Sequence, residues 1–254
     1  MPGHGKMYKH KLVCSEIWGG IKNEDIDAVS AALHASLFSS SCKGGKGGDI
    51  YYLSVCAHEV VTRIAIADVT GHGESVSNVS QWLFDSLQEH MSNAQENIVL
   101  EDVNRVAAEA GLSAMTTAVV VGVYRNEYMA YFVYAGHPPA MICKRNLKRW
   151  RRIIGPRNAA EANLPLGVEA DTRYSLQRVS LQKGDRLFLY SDGVIETPGR
   201  NGTQFGEDGL RKVLQNSVGK SLSAMKSSVL SALREYAGGS LRHDDVTLMA
   251  IEIL

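Results

Sequence analysis

The apolar residues of this chain change their spacing in blocks. Ile50–Cys56 and Arg63–Ala67 are short β runs separated by a polar stretch around His58 and Glu59, as in a hairpin. From Ser75 the spacing turns helical, with Val76, Val79, Leu83, Leu87 and Met91 forming a stripe that reads as core. A second helix is expected from about Glu101 to Ala110, ended by Gly111. Thr117–Tyr124 and Met129–Tyr134 flank the polar Arg125–Glu127 as another hairpin. Further strands are expected at Ala140–Lys144, Arg173–Val179, Arg186–Tyr190 and Val246–Ile253, and helices at Asp208–Leu214 and Leu222–Tyr236. Asp27–Leu37 also reads as a helix. Strands, two helices, strands, two helices and a strand describe a layered α+β fold with largely antiparallel sheets, and argue against repeated βαβ units.

A length of 254 residues suits one sizeable core, so 1–254 is read as a single domain. Lys plus Arg total 27 and Asp plus Glu total 27, which leaves no net field to hold nucleic acid or an anionic membrane; such binding would have to be local. Cys14, Cys42, Cys56 and Cys143 show no zinc spacing and read as buried, reduced small hydrophobes. No apolar stretch near the N-terminus is long enough for a secretory signal or a membrane span, so a cytoplasmic protein is expected. Ser39–Gly48 and Pro198–Gly206 read as flexible, the latter as a candidate flap.

Aspartates recur at the ends of the β runs. Gly47-Gly48-Asp49 precedes the first run and Ala67-Asp68-Val69-Thr70-Gly71-His72-Gly73 follows the second. In an antiparallel hairpin these ends adjoin, so Asp49 and Asp68 meet. Tyr190-Ser191-Asp192-Gly193 ends another apolar run, and Asp244-Asp245 precedes the last. One Asp beside Gly is ordinary turn chemistry; four such borders are harder to assign to turns. Close carboxylates repel unless a cation lies between them, and hard oxygen donors suit Mg²⁺ or Mn²⁺.

Gly47-Gly-Asp49-Ile-Tyr-Tyr, Ala67-Asp-Val-Thr-Gly-His-Gly73, Tyr134-Ala-Gly-His-Pro-Pro139, Leu164-Pro-Leu-Gly167, Leu189-Tyr-Ser-Asp192-Gly-Val-Ile-Glu-Thr197, Phe205-Gly-Glu207 and Asp244-Asp-Val-Thr-Leu248 resemble the ordered motif series of the PPM (PP2C-type) metal-dependent Ser/Thr phosphatases. Within that family they are similar to the bacterial sporulation and stress-response (SpoIIE/RsbU-like) branch. The match runs over 45–254, with 1–44 expected to be part of the same domain. The resemblance implies a PP2C-like α-β-β-α sandwich, with two mostly antiparallel sheets packed face to face. It also implies two Mn²⁺ or Mg²⁺ ions at one end of the sandwich. Carried over by position, Asp68 would bridge both ions, Asp49 and the Val69 backbone carbonyl would serve one, and Asp192 and Asp244 the other. Asp245 is second choice to Asp244 and is expected as its hydrogen-bonding neighbour. The ions would activate water against a phosphoester, and His72 is the candidate general acid for the leaving oxygen. His137 is expected to lock a turn beside two prolines.

Two positions depart from the family pattern. Trp18–Asp25 is similar to the opening acidic motif of eukaryotic relatives, but Asp49 is preferred as ligand because a short hairpin joins it to Asp68. Lys22 stands where those relatives carry a phosphate-gripping arginine. The helices after Asp68 resemble the branch's switch element. The implied substrate is a phosphoserine or phosphothreonine signalling protein such as an anti-sigma-factor antagonist, with any regulation supplied by a protein in trans. The alternatives are a pseudophosphatase that binds phosphoprotein without turnover and a small-molecule phosphoesterase.

Overall fold

The computed structural model describes residues 9–56, 59–71, 74–93, 95–111, 115–153 and 164–254. In chain order the first strands are β1 (Lys9–Lys11), β2 (Ile17–Lys22), β3 (Glu24–Val29), β4 (Leu33–Ser40), β5 (Lys46–Val55) and β6 (Val61–Val69), followed by helices α1 (Glu74–His90) and α2 (Glu96–Glu109). Then come β7 (Thr116–Tyr124), β8 (Met129–Ala135), β9 (Met141–Cys143), β10 (Trp150–Arg152), β11 (Gln177–Ser180) and β12 (Arg186–Tyr190). A short α3 (Asp192–Ile195), α4 (Gly206–Asn216), α5 (Leu222–Tyr236) and β13 (Val246–Ile253) complete the chain.

The strands form two sheets. One has the order β1-β3-β4-β13-β12-β9-β10 and the other β11-β8-β7-β6-β5-β2. Among the paired strands only β1 and β3 run parallel. Leu33, Leu37, Leu53, Ile64, Ile66, Val121, Phe132, Leu187, Met249 and Ile251 fill the space between the sheets. The outer face of the six-stranded sheet, with Ile50, Ala65, Ala67 and Val120, packs on Leu83, Leu87, Leu100 and Val103 of α1 and α2. The outer face of the seven-stranded sheet, with Phe188, Tyr190, Leu248 and Ala250, packs on Leu210 and Leu214 of α4 and on Met225, Val229 and Leu233 of α5. This is the α-β-β-α sandwich. Helices on both outsides bury both faces of the central strands, which is why Val61–Val69 is buried at every residue.

Asp27–Leu37 is not a helix. It spans the end of β3, a turn and most of β4. Ser30 decides this: its amide donates to the Leu33 carbonyl at 2.9 Å, and its hydroxyl accepts from the amides of Ala32 and Leu33 at 3.2 Å each. A side chain that satisfies the local amides in this way favours a hairpin turn over a helical one. The strand expected at Arg173–Val179 forms only from Gln177, because Glu101 of α2 takes both the Arg173 guanidinium at 2.5 Å and the Tyr174 amide at 3.3 Å. Helix α2 starts five residues before its expected position, at Glu96, while Gly111 does follow its end in the left-handed region (φ 64°).

Ser39 and Ser40 end β4, and Lys46–Gly48 begin β5. The segment expected as a flap is closed by a Pro198–Gln204 bridge and held by Tyr236, whose hydroxyl donates to the Gln204 carbonyl at 3.2 Å. Of the cysteines, Cys143 alone is buried, and none of the four is joined in a disulfide. Among the described residues no helix is long and apolar enough to cross a membrane.

Candidate metal centre

The β5–β6 register sets Asp49 directly opposite Asp68, so the two side chains leave the sheet on the same side. In the other sheet, β12 ends beside the start of β13, with the Ser191 amide donating to the Thr247 carbonyl at 2.9 Å. That pairing brings Asp192, the first residue of α3, next to Asp244 and Asp245. Hydrogen bonds between the sheets join the two pairs of strands: Ser191 Oγ donates to Asp49 Oδ2 at 2.8 Å and accepts from the Thr247 amide at 3.0 Å. Asp49, Asp68, Asp192, Asp244 and Asp245 therefore share one end of the sandwich.

Asp244 and Asp245 play different parts. Asp245 is buried, and its carboxylate oxygens accept the backbone amides of Cys42, in the β4–β5 connection, at 2.8 Å and of Gly48, at the start of β5, at 2.5 Å. Its own amide donates to Asp244 Oδ1 at 2.8 Å. Asp245 thus fixes the turn that presents Asp49. Close backbone approach completes the frame. A Cβ at Gly48 would meet the Val69 carbonyl oxygen at 2.6 Å and Asp68 Oδ1 at 3.5 Å, and one at Gly193 would run into the Asp245 carbonyl. Ser80 of α1 donates to the Gly48 carbonyl at 3.2 Å. Sequence reasoning did not single out Ser80, Ser191 or Thr247. Ser191 stood inside the Tyr-Ser-Asp-Gly motif, where a hydroxyl beside an acidic strand end was the available signal.

Charge dominates this end. Burial first, then Asp49, Asp192, Asp244 and Asp245, push the Asp68 carboxyl up to about 10. Burial raises Asp49 to about 8, opposed by hydrogen bonds from Ser191 and Thr247 and reinforced by Asp245 and Asp192. Burial, then Asp244 and Glu196, raise Asp192 to about 6. Among the described residues neither Asp49, Asp68, Asp192 nor Asp245 forms an ion pair with Lys or Arg. Hard carboxylate oxygens, a carbonyl facing the same gap and uncompensated negative charge are the donor chemistry that Mg²⁺ or Mn²⁺ takes. Among the described residues no three His, Cys, Asp or Glu side chains are already closed as a metal cage.

Asp25 lies elsewhere. On β3, its Oδ1 pairs with the buried Lys226 Nζ of α5 at 2.5 Å, and it is not among the groups that shift Asp68. Lys22, at the end of β2, is exposed and opposite Lys46. His137 is buried between strands; its Nδ1 is 2.9 Å from Thr117 Oγ1, and burial pushes its pKa down to about 3, so it stays neutral and fastens the end of β8 to β7. His72 lies outside the described residues.

A family model described as Stage II sporulation protein E (SpoIIE) matches residues 59–254. The chain belongs to the SpoIIE family. This family match begins after Asp49, but similarity to individual SpoIIE-type proteins reaches further. Phosphoserine phosphatase RsbU of Bacillus subtilis is 25% identical over 267 residues, covering 99% of this chain and 76% of RsbU. Phosphoserine phosphatase RsbP of the same organism is 22% identical over 214 residues, covering 81% of this chain and about half (49%) of RsbP. Among solved structures, the RsbU and RsbW domains of Rv1364c from Mycobacterium tuberculosis superpose with a TM-score of 0.74 at 22% identity, covering 89% of this chain and 61% of that one. The PP2C domain of SiaA from Pseudomonas aeruginosa gives 0.73 at 18% identity, covering 86% and 85%. RsbX, solved in complex with magnesium, gives 0.65 at 14% identity, covering 91% and 100%. The SpoIIE-family chain therefore has the PP2C phosphatase fold.

Proposed function

We propose that this SpoIIE-family domain is a metal-dependent protein serine/threonine phosphatase acting on a signalling phosphoprotein of the anti-sigma-factor-antagonist kind. The observation that carries the reading is the convergence of Asp49 and Asp68 from one sheet with Asp192 and Asp244 from the other. Asp68 would contact two Mn²⁺ or Mg²⁺ ions, Asp49 and the Val69 carbonyl one of them, and Asp192 and Asp244 the other. Bound there, the ions would supply an acidified water and a positive field for the phosphoryl oxygens. The chain's own contribution is positional: Asp245 holds the Gly48 turn, Ser191 orients Asp49, and Gly48 and Gly193 leave room where a side chain would intrude. His72 is the proposed proton donor to the departing seryl or threonyl oxygen.

The test is hydrolysis of a phosphopeptide panel with and without Mn²⁺, beside nucleotides and sugar phosphates. Mn²⁺-dependent turnover of phosphoserine or phosphothreonine peptides, abolished by Asp68→Asn, is expected. Preference for the small compounds would make the protein a small-molecule phosphoesterase. Calorimetric absence of Mn²⁺ binding by folded protein would mark a pseudophosphatase.

A further inference from the structure

The seven-stranded sheet carries a second concave feature at its opposite end. A cavity of about 680 Å³ opens beside the end of β9, the start of β12 and the end of β13. Arg186 lines it, and Asp192 follows six residues later on the same extended segment, about 20 Å away. Its volume falls in the range of ligand sites, roughly 300–1,000 Å³.

Its charge is one-sided in a chain whose cations and anions cancel overall. Lys144, Arg145, Lys148, Lys183 and Arg186 surround it against one acidic side chain, Glu252. Two of these cations are engaged, Lys144 with Asp185 at 2.8 Å and Arg186 with Glu252 at 2.6 Å. The side chains of Arg145, Lys148 and Lys183 are exposed, and among the described residues they make no ion pair or hydrogen bond. The accessible apolar lining is Val218 and Leu254, while Trp150 and Met225, also in the lining, are buried.

These features narrow the occupant. Trp150, at 1% exposure, offers no face for stacking a base. Strand addition at β10 is blocked because Gln215 of α4 accepts from the Trp150 amide at 3.1 Å and donates to the Lys148 carbonyl at 3.0 Å. An occupant must bind through its side chains, with apolar groups below and anions at the rim. We propose that this cavity docks an acidic peptide segment of a partner protein, its leucine-like side chains on the apolar lining and its carboxylates on Arg145, Lys148 and Lys183. The proposal does not use the phosphatase reading, and peptide binding decides it.

The test is fluorescence anisotropy of the whole chain with a labelled peptide of alternating glutamate and leucine. Two control peptides replace glutamate by lysine or leucine by serine. The glutamate–leucine peptide is expected to bind at least tenfold more tightly than either control and to weaken as salt rises. Joint substitution Arg145→Glu and Lys183→Glu should weaken it about tenfold or more, with generic phosphoester turnover unchanged. Arg145→Gln with Lys183→Gln should give a smaller loss in the same direction, and this pair decides the matter if the charge reversal impairs folding. Equal binding of the glutamate and lysine peptides, or affinity untouched by the glutamine pair, overturns the proposal. Tighter binding of phosphatidylserine vesicles or a single-stranded oligonucleotide than of the peptide does the same.

Discussion

Asp68→Asn removes one charge from the most crowded point of the carboxylate cluster. Asp49 and Asp68 face each other across β5 and β6, which sets their side chains about 5 Å apart. Ionising both in an effective dielectric near 20 would cost about 3 kcal/mol in repulsion, so at pH 8.5 the wild type instead keeps the Asp68 proton, a penalty of at least that order against the unfolded chain. Both carboxyls hold their protons more tightly in the folded protein than in the unfolded chain, where the pKa is near 3.8. The stability this confers is complete below about pH 4. It is lost as pH rises through about 8 for Asp49 and towards about 10 for Asp68. In chelator at pH 8.5, Asp68→Asn should therefore melt above the wild type, by roughly 6–12 °C for 3 kcal/mol in a domain of this size. At pH 5 the gap should narrow. Mn²⁺ should reverse the order, raising the wild type and leaving the variant nearly unmoved, while phosphopeptide turnover of the variant falls by at least about a hundredfold. Thermal unfolding at both pH values, with EDTA or Mn²⁺, reads every part. A chelated variant no more stable than wild type at pH 8.5 would refute the shared field on which the proposed centre rests.

Gly48→Ala should drive its Cβ into the Val69 carbonyl oxygen, costing roughly 1–3 kcal/mol in urea unfolding and lowering Mn²⁺ affinity as the Asp49 turn shifts. Ser191→Ala leaves Asp49 Oδ2 without its 2.8 Å donor and the Thr247 amide without its acceptor; calorimetry should show Mn²⁺ bound about tenfold more weakly, with the fold intact. Arg63→Met strands buried Glu96 and frees the carbonyls of Met91 and Asn93. It should destabilise by about 3–5 kcal/mol, with hydrogen exchange rising first in α1 and α2, and Glu96→Gln in the same chain should recover part of the loss.

The helices and hairpins around the site were readable because their apolar spacing and their flanking turns agree. Leu222–Tyr236 shows the helical period throughout, and α5 has those bounds. Asp49 and Asp68 could be paired from the sequence because two runs joined by a short polar link have few other registers available. The N-terminal strands were hidden for a physical reason. Leu33, Ala35 and Leu37 do alternate with His34 and Ser36, but the small apolar Ala28, Val29, Ala31 and Ala32 before them extend a run that also fits a helix, and the turn that breaks it depends on a single serine hydroxyl. The partners that orient the carboxylates were hidden differently, since Ser80, Ser191 and Thr247 reach the site only when the sheets and α1 have packed. No local spacing encodes such contacts.

That packing has a consequence for how the site is built. The five aspartates come from strand ends in two separate sheets, and each sheet could satisfy its own backbone ladder without the other. What ties the ends together is a small set of links: Ser191 to Asp49, Asp245 to the Gly48 and Cys42 amides, and Ser80 to the Gly48 carbonyl. Mutual repulsion pulls against these links, and apolar burial between the sheets holds the frame closed. Asp49 is therefore placed by both sheets and, through Gly48, by α1. A shift of α1 that released Ser80 would act on Gly48, next to the terminal Asp49–Asp68 pair of the β5–β6 ladder, and would leave the Ile50–Val55 pairings and the Asp192–Asp244 pair in place. Gly48 is the point at which the position of α1 and the position of the Asp49 carboxylate meet.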